Sequence, residues 1–142
     1  MRNRARVGIV AAMAAVLVGV TSTAAYADYY TSSCGAASND PGGRDCWIMF
    51  WHDGIAVGDG EFWAYGERLV AIDSYADGRG VYVGAQWYDN GMHYNDYRLT
   101  SGANTSHTLD LSIPEGTSVT FTSCQTDNGS LLNCRTVTAM AW

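Results

Sequence analysis

Ser118-Val119-Thr120-Phe121-Thr122-Ser123-Cys124 and Cys134-Arg135-Thr136-Val137-Thr138-Ala139-Met140-Ala141 form one pattern read twice. Apolar and polar residues alternate in both, the two-residue period of a strand with one face turned to a core. Set antiparallel with Cys124 opposite Cys134, the two runs also set Phe121 opposite Val137 and Val119 opposite Ala139. One register therefore satisfies both the cysteines and the apolar residues, which specifies a disulfide-closed hairpin.

The same period extends upstream. Leu109, Leu111 and Ile113 alternate with Thr108, Asp110 and Ser112, and Pro114-Glu115-Gly116-Thr117 turns the chain into the hairpin. Residues 61–65 and 68–73 read as two more strands, and Val81 to Tyr88 as another. Asp89-Asn90-Gly91 then marks a hairpin turn. A strict two-residue loop would place Val83 against Arg98 and Ala85 against Asp96. Tyr97 and Leu99 have the better apolar parity, so an odd-length loop or a bulge near Gly91 is expected. No long helical period occurs after residue 27. The fold class is all-β: a single antiparallel β-sandwich of seven to eight short strands with two disulfides.

The N-terminus carries export signals. Arg2, Arg4 and Arg6 precede an apolar stretch from Val7 to Val20, and Ala25-Tyr26-Ala27 is a small-x-small cleavage site. Residues 1–27 read as a signal peptide, too short in its apolar part to anchor a membrane, and the mature chain begins at Asp28. The protein is expected to be secreted and extracellular, with no membrane insertion after cleavage. Of the 142 residues, 115 then remain, enough for one domain. All four cysteines, Cys34, Cys46, Cys124 and Cys134, lie in that part, and an even count in an exported chain reads as two disulfides. Local pairs, Cys34–Cys46 and Cys124–Cys134, are favoured because each closes a short loop around turn-forming residues.

After cleavage, five arginines face fourteen acidic residues, a net charge of −9, and the chain has no lysine. That charge repels phosphate backbones and anionic membrane surfaces, so nucleic acid is excluded as a partner. Catalytic signatures are weak. His52, His93 and His107 could each supply a base, but no G-x-S-x-G elbow accompanies them. Glu61, Glu67 and Glu115 are the only glutamates, and among fourteen acids some pair always lies near another. Asp73 to Gly78 and Asp127-Asn128-Gly129 have calcium-ligand residue types without the twelve-residue loop pattern, and they read first as turns. The chain is read as a non-enzyme with no metal and no cofactor.

Two segments are candidates for binding. Trp47-Ile48-Met49-Phe50-Trp51 is an unbroken apolar run between a cysteine-bracketed, turn-rich loop and the glycine-rich stretch 52–60. It reads either as a buried core strand or, as the slightly favoured alternative, as part of an N-terminal arm, residues 28–60, that completes a partner by strand addition. The β-sandwich domain would then occupy residues 61–142. The second segment is the hairpin carrying Trp87, Tyr88, Asp89, Asn90, His93, Tyr94, Asn95, Asp96 and Tyr97. Flat rings beside amides and carboxylates suit a carbohydrate, although strand alternation must send some of these rings into the core.

Tyr65-Gly66-Glu67, Asp73-Ser74-Tyr75-Ala76-Asp77-Gly78, Pro114-Glu115-Gly116-Thr117-Ser118-Val119 and the pair Cys124 and Cys134 carry a resemblance. From Tyr65 on, the chain resembles small secreted actinobacterial β-sandwich proteins, some of which are similar to the adaptor subunit of secreted umbrella toxin particles. These are mostly turn and strand residues, so the likeness speaks to fold more than to activity. The adaptor resemblance implies a β-sandwich whose N-terminal extension docks into a large spoke-bearing subunit and joins it to a lectin subunit. Residues 28–60 are compatible with such an extension but depart from it by carrying two cysteines. The leading expectation is a secreted adaptor engaging a larger extracellular protein. A secreted carbohydrate-binding module is the alternative, and an enzyme inhibitor comes third.

Overall fold

The computed structural model describes residues 28–142; the expected signal peptide, 1–27, lies outside the described residues. Nine strands make up the described chain: β1 (Tyr29–Ala36), β2 (Arg44–His52), β3 (Ile55–Trp63), β4 (Arg68–Asp73), β5 (Gly80–Tyr88), β6 (Met92–Leu99), β7 (Thr105–Asp110), β8 (Ser118–Asp127) and β9 (Ser130–Met140). All pair antiparallel in the order β6-β5-β8-β9-β2-β3-β4-β7, with β1 added on β2. No helix occurs among the described residues. The β9–β2 link is the single pair Arg44–Met140, where the sheet folds over on itself. At the far ends of the order, the Tyr97 ring of β6 stacks on His107 of β7 at 3.8 Å between centroids. The sheet therefore curls into a nearly closed, barrel-like form around one core.

Alternation builds that core. Ile48 and Phe50 of β2, Phe62 of β3, Leu69 and Ala71 of β4, Val83 and Ala85 of β5, Val119 and Phe121 of β8, and Ala139 of β9 are all buried. Phe62 meets Phe121 across the interior at 6.4 Å. The β8–β9 register is the expected one, Phe121 opposite Val137 and Val119 opposite Ala139. The β5–β6 loop is odd, three residues between Tyr88 and Met92, and it places Val83 opposite Tyr97 and Val81 opposite Leu99. Asn90 in this loop takes a positive φ of 50°, a conformation asparagine tolerates better than most residues.

Both disulfides join the expected cysteines, Cys34–Cys46 across β1–β2 and Cys124–Cys134 across β8–β9, each with Cα atoms 4.1 Å apart. Their environments differ. Both Cys46 and Cys124 are 1% exposed, but Cys46 shares the inward parity of Ile48 and Phe50 and packs in the central core, whereas Cys124 sits at the β8 register shift and faces Tyr82 across β5–β8. Cross-links of this kind form and persist in oxidising compartments.

The expected division at residue 60 is corrected by the structure. It falls inside β3, and residues 28–60 supply β1, β2 and most of β3. The count is nine rather than seven or eight for that reason. The glycines of the stretch 52–60 allow close packing. A Cβ on Gly60 would lie 2.2 Å from Ser123 Oγ and 2.7 Å from Val83 Cγ1, and one on Gly58 would lie 2.7 Å from the Ile72 carbonyl oxygen.

Candidate functional site

The run Trp47 to Trp51 is one strand with two fates. Ile48 and Phe50 are fully buried, so the reading of all five residues as a docking arm is wrong for these two. Trp47, Met49 and Trp51 point the other way and remain exposed or half-exposed. Pairing aligns them with neighbours on the same outer face. Trp47 lies between Ser33 and Glu61, Met49 between Thr31 and Asp59, and Trp51 opposite Tyr29. Val70 and Ile72 of β4 extend these rows beside Glu61 and Asp59. Trp63, two residues along β3, pairs with Arg68 and shares the face.

Trp47 keeps 43% of its surface exposed and Trp63 42%. Trp47 and Trp51 stand about 13 Å apart along β2, at roughly 3.3 Å per residue. Trp51 is tied down: its ring stacks parallel on Tyr29 at 6.0 Å, and its Nε1–H donates to Thr31 Oγ1 at 2.9 Å. Trp63 Nε1–H donates to Glu61 Oε2 at 2.5 Å, and the Arg68 guanidinium sits 4.8 Å over the Trp63 ring. These contacts fix the orientation of large apolar side chains that the core does not use.

Two carboxylates, Asp59 and Glu61, sit at the centre of this face. Burial among the surrounding side chains pushes the Asp59 carboxyl up to about 7, and the charge of Glu61 and a hydrogen bond to it push in the same direction. Asp59 lies in Gly58-Asp59-Gly60, the end of the glycine-rich stretch 52–60. The alternation of Asp59 and Glu61 with Gly58, Gly60 and Phe62 is the signal that would have placed it on a sheet face.

The Trp87–Tyr97 hairpin is divided in the same way. Trp87 has the inward parity of Val83 and Ala85 and is 8% exposed, so its ring is not free to stack on a sugar. His93 stacks on it at 5.4 Å and lies within 2.8 Å of the Asp89 carbonyl oxygen through Nε2. Tyr97 packs against the core. Tyr88 and Tyr94 are exposed on the outer face, and Asp89 and Asn90 belong to the loop. The nine-residue cluster is thus not one surface.

Tyr94 instead joins a site that the sequence reading missed. Tyr82, Gly84, Gln86, Tyr94, Thr120 and Thr122 line a trough of about 230 Å³ beside the Cys124–Cys134 bridge. Gly84 leaves room for the Tyr82 side chain, whose hydroxyl would lie 2.7 Å from a Cβ at that position. The Tyr82 hydroxyl bonds to that of Tyr94, which donates to Asp96 Oδ2 at 3.2 Å. Burial and these neighbours raise the Tyr82 pKa well above its ordinary value.

The three histidines are far apart in role. His52 pairs with Asp28 at 2.5 Å and with Asp53 at 3.5 Å, His93 contacts a backbone carbonyl, and His107 stacks on Tyr97. Glu67 is raised by burial and then by the charges of Asp40 and Glu115. No cluster of three or more metal-ligating side chains occurs among the described residues. No helix long and apolar enough to cross a membrane occurs among the described residues. No family model, curated protein or solved structure matches the chain.

Proposed function

We propose that this protein is a secreted, non-catalytic binding module that engages a larger extracellular protein through the outer face of β1–β4. The observation that carries this reading is Trp47 and Trp63 standing half-exposed on one sheet face, with Met49 beside Asp59. Tryptophan, tyrosine, methionine and arginine are the residues enriched at the centres of protein interfaces, and Tyr29, Met49, Trp63 and Arg68 are spread along this face. Asp59 and Glu61 and the overall acidity favour a partner that presents basic groups opposite them. Docking by a face replaces docking by an inserted arm, since β1–β3 belong to the sheet. An adaptor role of the umbrella-particle kind would use this surface. The curled sheet is best taken as a flattened sandwich, with β5, β8 and β9 packed over β2, β3 and β4.

The test is co-purification from culture supernatant with wild type and a Trp47→Ala/Trp63→Ala variant. The variant should stay folded and lose a large protein that wild type retains. A folded variant that retains the same partner contradicts the reading. The trough lined by Tyr82, Gln86 and Tyr94 favours a second reading, carbohydrate binding, because it joins two rings to an amide and two threonine hydroxyls. Binding on a glycan array that is lost in Tyr94→Ala would move the function to that face.

A further inference from the structure

Trp63 ends β3, Arg68 begins β4, and Tyr65 lies in the turn between them. Asp45 of β2 falls opposite Trp63 by continuation of the register Trp47–Glu61 and Cys46–Phe62. A row of Asp45, Trp63 and Arg68 therefore crosses three strands on the outer face. Ser38 and Asn39 of the β1–β2 loop close its far side, and these residues with Tyr65 border one pocket of about 200 Å³. The loop is pinned in place. The Cys34–Cys46 bridge brackets it, the Ala37 N–H donates to the Gly43 carbonyl oxygen at 3.1 Å, and the Gly43 N–H donates to that of Asp40 at 3.0 Å. Gly43 packs so closely on the β3–β4 turn that a Cβ there would lie 2.6 Å from the Ala64 Cβ. The walls are thus formed before any ligand arrives, as in most small-molecule sites.

The polar groups of this pocket are held in position with hydrogen-bonding capacity to spare. Asp45 Oδ1 accepts from the Ala64 N–H at 2.7 Å, which leaves Oδ2 available. The Arg68 guanidinium lies 4.8 Å over the Trp63 ring and forms no ion pair among the described residues. Since Arg68 covers one face of Trp63, the ring free to stack is Tyr65, which is 60% exposed. We infer that this pocket binds one neutral hexose unit of a glycan. A pyranose needs a flat ring against its C–H face, a carboxylate and an amide to accept from its hydroxyls, and a guanidinium to donate to them; Tyr65, Asp45, Asn39 and Arg68 supply these in turn. The space is below the range of drug-sized ligands and suits about one sugar ring. Charge selects a neutral sugar over an acidic one. Asp45 stands in the wall, Glu67 precedes Arg68 in the chain, and Asp110 pairs with Arg68 across β4–β7, so a sugar carboxylate would meet three acids and one guanidinium. The pocket is distinct from the trough at Tyr94. It does not rest on the protein-binding reading, although Trp63 borders both surfaces.

Titration of the isotope-labelled secreted product with the methyl glycosides of glucose, galactose, mannose and N-acetylglucosamine, followed by NMR, tests it. At least one glycoside should move the Trp63 indole N–H saturably, with a Kd of about 1–10 mM, and leave the Trp51 indole in place. Tyr65→Ala, a substitution at an exposed turn position, should keep the melting temperature and weaken that Kd about tenfold. Trp47→Ala, which removes the proposed protein contact, should leave the sugar titration unchanged, so the two readings fail separately. No saturable shift with any of the four glycosides, or an undiminished affinity in Tyr65→Ala, overturns the site. A methyl glucuronide that binds as tightly as the best neutral glycoside overturns the neutral class, and shifts confined to Tyr82 and Tyr94 overturn the site in favour of the trough.

Discussion

β2 and the β5–β6 hairpin are the two aromatic-rich regions of the chain, and strand alternation divides each of them differently. In β2 the inward positions hold Ile48 and Phe50, and the tryptophans Trp47 and Trp51 face outward. In the hairpin the tryptophan, Trp87, is inward, and the outward positions hold Tyr88 and Tyr94. The density of rings is similar, but the rings left available for binding are not. A cluster of aromatics in sequence therefore does not define a surface until parity and register assign each ring to a side.

The largest effects should come from exchanging inward and outward positions within one strand. Phe50→Ala should cost about 3–5 kcal/mol and melt or block secretion of the domain, whereas Trp47→Ala, one side of the same strand removed, should change stability by under about 1 kcal/mol. Thermal melts of the two variants compare them directly. In the hairpin the order reverses in residue type: Trp87→Ala should destabilise by about 3 kcal/mol and Tyr88→Ala scarcely at all. A similar loss for both would mean that the hairpin faces are wrongly assigned.

The disulfides refine the same contrast. Each closes a short loop, so each contributes roughly 2–3 kcal/mol through the unfolded chain. Cys34→Ser/Cys46→Ser should nonetheless cost more than Cys124→Ser/Cys134→Ser, because Cys46 also packs within the core. Equal melting temperatures for the two double variants would contradict the packing of Cys46, and not Cys124, within the central core.

A smaller effect concerns the acidic centre of the β2–β3 face. The folded Asp59 carboxyl holds its proton up to about pH 7, but in the unfolded chain it releases it near its ordinary value of 3.8. Between these values the native state binds more protons, so this group removes stability as pH rises from about 4 to about 7, with no further loss above. Asp59→Asn should therefore melt a few degrees above wild type at pH 8 and together with it below pH 4. A difference independent of pH would show that Asp59 is well solvated on that face.

The smallest effect lies at Asp28, the expected first residue after cleavage. Its hydrogen bond raises the pKa of His52, and in return His52, with Arg79, lowers that of Asp28. The His52 contribution is complete below about 6.5 and fades as pH rises through its raised folded value. That of Asp28 is complete above about 3.8 and fades as pH falls. Asp28→Asn should flatten this shallow optimum without touching the Trp47 face, and melts across pH 3–9 would show it.

The parts of the fold legible in the sequence are those fixed by neighbours along two adjacent strands. Phe121 against Val137, Val83 against Tyr97 and both cysteine pairs follow from parity and turn length alone. What the sequence hides depends on contacts across the core. Gly58 and Gly60 look like a hinge until Ile72, Ser123 and Val83 are seen to occupy the space a side chain would need. Once they become packing positions, β3 joins the sheet and the arm disappears. Asp59 escaped notice because its glycine neighbours hide the strand that carries it; Tyr82 lies in an expected strand, and its site is made by Tyr94 on β6 and the room at Gly84.

Hydroxyl-radical footprinting of the secreted protein, in its native culture supernatant and after purification, tests the β2–β3 face most directly. Trp47, Met49 and Trp63 should be protected in the supernatant and reactive once purified, with Tyr88 and Tyr94 equally reactive in both. Protection at Tyr88 and Tyr94 with Trp47 and Trp63 fully reactive would contradict the account and assign binding to the opposite face.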